Sequence, residues 1–102
     1  MLIPTRNVFR RTLMMQIAAT RGGPVRLKIL MTLENKPYNI NEISQKLSLD
    51  YKTVQHHVRV LEKSGLISSV GKRYANAYTL SPLIIAHKDV LKEILANMGK
   101  SK

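Results

Sequence analysis

Apolar side chains recur every third or fourth position along most of this chain, and only one stretch alternates in the manner of a strand. From about Thr5 to Thr20, Phe9, Leu13 and Ile17 repeat at four, with Met14 and Ala18 beside them and Arg6, Arg10 and Arg11 between. That spacing lays an apolar stripe along one helical face. Gly22-Gly23 stops this helix, and Pro24 suits the first turn of the next, where its missing N–H costs nothing. "PVRLKILMTLENK" then holds Val25, Ile29, Leu30 and Leu33 on one side until Pro37 ends it. "YNI" is a short extended link, too short for more than a single bridge to a sheet. Asn39 followed by Glu42 has the spacing of a capping box, so a third helix opens there, with Ile40, Ile43 and Leu47 as its apolar positions. "SLD" breaks the run, Asp50 caps a fourth helix, and Gly65 fits its C-terminal cap.

After Gly65 the period changes. "LISSV" and "NAYTL" are short β-like runs separated by "GKRYA", which reads as a hairpin with a basic tip. Ser81-Pro82 restarts a helix, serine as cap and proline in the first turn. In "LIIAHKDVLKEILANMG", Ile84, Leu91 and Met98 stand seven apart with His87 and Ile94 between them. Such a narrow seam is typical of a helix that pairs with another helix. The predicted fold is mainly α with a small β-hairpin.

The fourth helix, within 50–64, has two faces of opposite character. On a wheel advancing about 100° per residue, Gln55, His56, Arg59 and Lys63 fall within about 60° of Lys52. Val54, Val58 and Leu61 fall opposite. The helix is expected to anchor through its aliphatic side chains and present Lys, Gln, His and Arg outward, with Thr53 near its start. Those are side chains that donate to base edges in the DNA major groove, which admits one helix. His57 lies about 140° round from the outward stripe and reads as a packed histidine bonded to backbone or phosphate. Adjacent histidines on different faces do not share a metal readily, so no zinc site is expected.

Charge sharpens this picture. The 102 residues, enough for one domain, carry 17 Lys and Arg against 6 acidic residues, a net charge of +11. So basic a domain implies an acidic partner, most often nucleic acid. There is no cysteine, hence no disulfide, thiolate zinc site or thiol nucleophile, which suits a reducing cytoplasm. No apolar run approaches the length of a membrane span, and the arginine-studded N-terminus does not read as a signal peptide. The scattered acidic residues, with no Gly-rich phosphate loop and no Ser/His/Asp cluster, argue against an enzyme. Nothing points to a cofactor.

"NEISQKLSLDYKTVQHHVRVLEKSGLI" followed by "GKRYANAYTLS" resembles the winged helix-turn-helix family, and within it the ArsR-like and MarR-like regulators. The resemblance covers residues 24–81. It implies that Asn39–Leu47 positions, that 50–64 is the recognition helix, and that Lys72, Arg73 and Tyr74 form a wing (71–77) reaching the backbone or minor groove. The cysteine pair that metal-sensing members carry is absent from "NEISQKL", and His87 and Asp89 stand without a second His and Glu beyond, so no metal is expected.

The expected function is therefore sequence-specific binding of double-stranded DNA in transcription regulation, with protein-interaction and RNA-binding modules as the alternatives. One recognition helix reads only a few base pairs, so a two-fold homodimer is expected. Its candidate surface is the helix at 5–21, through Phe9, Leu13 and Ile17, together with the helix at 82–98, through Ile84, His87, Leu91, Ile94 and Met98. A single chain does not obviously have room to bury both seams.

Overall fold

A computed structural model describes residues 6–71 and 76–100, and of 98–100 only the backbone. Helix α1 (Arg6–Leu13) runs into one π-helical turn (Met14–Ala18), after which α2 (Gly23–Leu33) begins. The two-residue strand β1 (Tyr38–Asn39) leads into α3 (Ile40–Leu47) and then α4 (Tyr51–Lys63). Strands β2 (Ile67–Val70) and β3 (Ala77–Leu80) form a hairpin, followed by α5 (Pro82–Ala86) and α6 (Lys88–Lys100).

The local signals act as their chemistry dictates. The Asn39 side chain accepts from the Glu42 N–H at 2.8 Å, and the Glu42 carboxylate accepts from the Asn39 N–H at 2.9 Å, closing the capping box. Ser48, in the left-handed region at φ 54°, ends α3 and turns the chain. Asp50 accepts from the N–H groups of Lys52 and Thr53 at 3.0 and 3.2 Å and starts α4. At the far end Gly65 takes φ 77°, so that its N–H reaches the Glu62 carbonyl and the Leu66 N–H reaches that of Leu61, both at 3.0 Å. This is a Schellman closure, and it hands the chain to β2. Ser81 caps α5, with Pro82 in the first turn.

The "YNI" link does more than bridge. Tyr38 and Asn39 pair with Tyr78 and Ala77, which makes β3 the central strand of an antiparallel sheet in the order β1-β3-β2. The hairpin register sets Ile67 opposite Leu80 and Val70 opposite Ala77.

Two expectations change in tertiary context. The C-terminal segment is not one helix: His87, at φ −127° and ψ 42°, separates α5 from α6. The apolar seams assigned to a dimer surface are instead buried within one chain. Phe9, Leu13, Ile17, Ile84, Leu91 and Ile94 are each at most 2% exposed and belong to a single cluster with Leu30, Val58 and Leu61. The break at His87 allows this, because α6 need not continue the direction of α5 and can lie along α1. The half-buried His87 ring packs on Phe9, their centroids 5.2 Å apart. Arg6 with Asp89, and Arg10 with Glu93, form exposed ion pairs across the same α1–α6 contact. Such pairs add little stability compared with the apolar burial beneath them. The Met98 side chain lies outside the described residues. The large apolar side chains left exposed on these segments are Val8, Met14, Met15 and Ile85.

Candidate nucleic-acid interface

Helix α4 is held from behind and open in front. Val54, Val58 and Leu61 are fully buried. Lys52, Thr53, His56, Arg59 and Lys63 are exposed, and Gln55 is half-buried. The wheel read from sequence therefore matches the observed faces. No ion pair among the described residues engages Lys52, Arg59 or Lys63; the two ion pairs lie at the α1–α6 contact. A cationic stripe that forms no ion pair among the described residues, on a doubly capped helix, is a surface suited to an anionic ligand.

The hairpin stands beside the C-terminal half of α4. Tyr78 of β3 is half-buried, and its phenol is pushed up by burial and by the carboxylate of Glu62. Gly71, at φ 100°, opens the turn between the strands. Lys72, Arg73 and Tyr74, the wing residues expected from sequence, lie outside the described residues.

His57 is buried, as expected, but the partner of its Nδ1 is a side chain instead of backbone. Nδ1 accepts from Nε of Arg26 at 3.1 Å. Arg26 is only 8% exposed, and its Nη1 donates to the Gln16 carbonyl at 3.1 Å and to the Gln16 side-chain oxygen at 2.9 Å. Gln16 sits in the π turn, among the last carbonyls of its helix, which lack intrahelical donors. Arg26 supplies one. Burial pulls the His57 imidazole below its ordinary pKa, and the neighbouring Arg26 and His56 pull it further. Gly22 makes the room, since a Cβ there would fall 2.6 Å from His57 Cε1.

Sequence reasoning passed over Arg26 and Gln16. The signal for Arg26 was present: it stands at i, i+4, i+7 with Leu30 and Leu33, which places it on the buried face of α2. A basic residue on that face needs acceptors, and the fold supplies them from Gln16, 10 positions away, and from an imidazole 31 positions away. Among the described residues no three of His, Cys, Asp and Glu lie close enough together to hold a metal ion. No helix among them is long and apolar enough to cross a membrane.

Comparison with known proteins agrees with this geometry. Residues 23–69, which run from the start of α2 into β2, match the model of the bacterial regulatory protein arsR family. Over 48 residues the chain is 40% identical to an uncharacterized HTH-type transcriptional regulator of Methanocaldococcus jannaschii. That match covers 47% of this chain and about half the length of the relative. Among solved structures, the transcriptional repressor BigR from Xylella fastidiosa superposes with a TM-score of 0.70 at 21% identity, covering 95% of this chain and 91% of that one. The homodimeric winged helix-turn-helix DNA-binding domain Mb0332 from Mycobacterium bovis gives a TM-score of 0.66 at 16% identity, covering 93% and 88%. Reduced HlyU from Vibrio cholerae gives 0.64 at 23% identity, covering 87% and 92%. Residues 23–69 of this chain are thus similar to the arsR-family helix-turn-helix model, and the chain as a whole has a winged helix-turn-helix fold.

Proposed function

We propose that this chain is a transcription regulator that binds a specific double-stranded DNA sequence as a homodimer, acting in the cytoplasm. The observation that carries the reading is the exposed stripe of α4, with Lys52, Thr53, Gln55, His56, Arg59 and Lys63 outward and Val54, Val58 and Leu61 buried behind. In this reading α4 enters the major groove, where Gln55 and Arg59 donate to adenine and guanine edges and the lysines meet phosphates. The turn of the hairpin, with Lys72, Arg73 and Tyr74, reaches the backbone or minor groove. A net charge of +11 and the match of residues 23–69 to the arsR-family model support it.

Pairing doubles the number of bases read, and the neighbour from Mycobacterium bovis is homodimeric. The proposed contact uses the outer faces of the N- and C-terminal helices. Their inner faces are already covered, so the apolar groups offered are Val8 and Met15 of the N-terminal segment and Ile85 of α5. A two-fold arrangement would set the two α4 helices about one DNA turn, or ~34 Å, apart.

Selection of bound sequences from random duplex DNA, at two salt concentrations, tests the reading. A site should emerge, and a selection that returns no preferred sequence sinks sequence-specific binding. With that site in hand, Gln55→Ala and Arg59→Ala should each weaken cognate binding by about 1–3 kcal/mol and disturb binding to random duplex less. Equal losses on both would remove these residues from base reading.

A Lys72→Ala, Arg73→Ala double variant should behave differently, weakening binding to every sequence. Its log–log dependence on salt should become shallower by about one to two units, because fewer counter-ions are released. An unchanged slope takes the turn out of the DNA contact.

A further inference from the structure

Behind the stripe that would read bases lies a polar chain running through three segments of the fold. Gln16 belongs to the π turn after α1, Arg26 to α2 and His57 to α4, and hydrogen bonds of 2.9–3.1 Å connect them in that order. Arg26 and His57 are each 8% exposed, and no carboxylate among the described residues forms an ion pair with the guanidinium. Burying a guanidinium is costly unless its donors are satisfied, and here neutral acceptors take Nε and Nη1. With Nδ1 accepting, the neutral imidazole carries its proton on Nε2, so the bond fixes one tautomer and one ring orientation. His57 in turn sits beside His56 of the outward stripe, their rings edge-on with centroids 5.1 Å apart.

We propose that Arg26 is a positioning residue for DNA reading: by donating to His57 and holding Gln16, it fixes the rotation of α4 relative to α2 and to the N-terminal helix. The inference rests on the DNA-binding reading above. The aliphatic contacts of Val54, Val58 and Leu61 press α4 against the core, but apolar packing is non-directional and tolerates small rotations. A buried hydrogen bond has an angle and a length, and so adds the directional constraint. Its other end is tied to the arm that would pair two copies, so the bond refers each recognition helix to the dimer contact.

The arrangement works only with a neutral imidazole. Protonation at Nδ1 would place an N–H against the Arg26 N–H, donor against donor and cation against cation. The charged or titratable groups that face His57 are Arg26 from α2 and His56 from α4 itself, and Gln16 is neutral. Because burial lowers the folded-state pKa, the stabilising contribution is complete above the ordinary histidine value of 6.5. It is lost as pH falls from there through the lowered folded value.

The test measures the ratio of cognate to scrambled-duplex affinity for the full chain, between about pH 8 and the lowest pH at which circular dichroism still shows the native helix content. In Arg26→Met the ratio should fall about tenfold at neutral pH, with non-specific affinity little changed, as for loss of one buried charged hydrogen bond. The wild-type ratio should decline on acidification. In His57→Asn, whose amide oxygen can replace Nδ1 as acceptor and does not titrate, it should stay high at neutral pH and be flatter with pH. The difference between these two profiles removes the contributions of His56 and His87, which both proteins share. A folded Arg26→Met with an undiminished ratio overturns the proposal. If Arg26→Met does not fold, the profiles decide, and identical pH dependence in wild type and His57→Asn overturns it. A wild type without sequence preference instead overturns the DNA-binding reading itself, so the two failures are told apart.

Discussion

Gly23→Ala is expected to lose about 3 kcal/mol of stability, and its melting midpoint should fall by roughly 12–24 °C, the scale for a domain of this size. The reason is the joint between the N-terminal arm and α2. A Cβ at Gly23 would lie far inside 3.0 Å of the Ile17 carbonyl oxygen, which is backbone and cannot rotate away. Either α2 or the π turn must move, and both carry fully buried side chains, Ile17 on one and Ile29 and Leu30 on the other. Two other glycines give a graded comparison. At Gly22 the new methyl would meet a side-chain atom, His57 Cε1, so Gly22→Ala should cost less, about 1–2 kcal/mol, by displacing the ring. At Gly65 there is open space but φ is 77°, so Gly65→Ala should cost about 1 kcal/mol of backbone strain alone. Thermal melts of the three variants would show the order. A Gly23→Ala protein that melts with the wild type would mean that the joint is looser than the close approach requires.

The second large effect separates core from interface. Leu91→Asp combined with Ile94→Asp should unfold the chain, because each carboxylate would enter an apolar site at most 2% exposed. Burying an unpaired charge costs several kcal/mol, and two together exceed the stability of an ordinary small domain's margin. Val8→Asp combined with Met15→Asp should instead leave the helical signal intact, since both side chains are about half exposed or more, at 48% and 63%. That variant should sediment as a monomer where the wild type sediments as a dimer. A wild type that remains monomeric at micromolar concentration sinks the pairing. A double variant at Val8 and Met15 that still dimerises moves the contact elsewhere, and a well-folded Leu91→Asp, Ile94→Asp protein would contradict the burial of α6 against α1.

These two experiments lie on opposite sides of what the sequence alone could determine. Everything settled within one turn of backbone was legible. Asn39 with Glu42, Asp50 with the first N–H groups of α4, Ser81 with Ile84, and Gly65 at positive φ are contacts between near neighbours, so residue type and spacing specify them. The two faces of α4 were legible for the same reason, because helical periodicity fixes angles between side chains whatever surrounds the helix. Alternation and turn residues marked the hairpin, and the run from Asn41 to Ile67 resembled a known family closely enough to suggest its architecture.

What remained open was what covers each apolar face. Periodicity shows that Phe9, Leu13 and Ile17 share one side of a helix and that Leu91 and Ile94 are apolar nearby. It does not say whether their partner is a second copy or a segment some eighty positions along the same chain, the separation of Arg10 from Glu93. That choice depends on the path of the chain, here on the bend at His87 and the close joint at Gly23, both of which bring distant elements together. The same holds for Arg26. Its place on the inner face of α2 follows from spacing, but the acceptors that make a buried guanidinium tolerable come from Gln16 and His57, on two other elements. Local geometry is written in neighbouring residues; the pairing of faces is decided only when the whole chain has closed around its core.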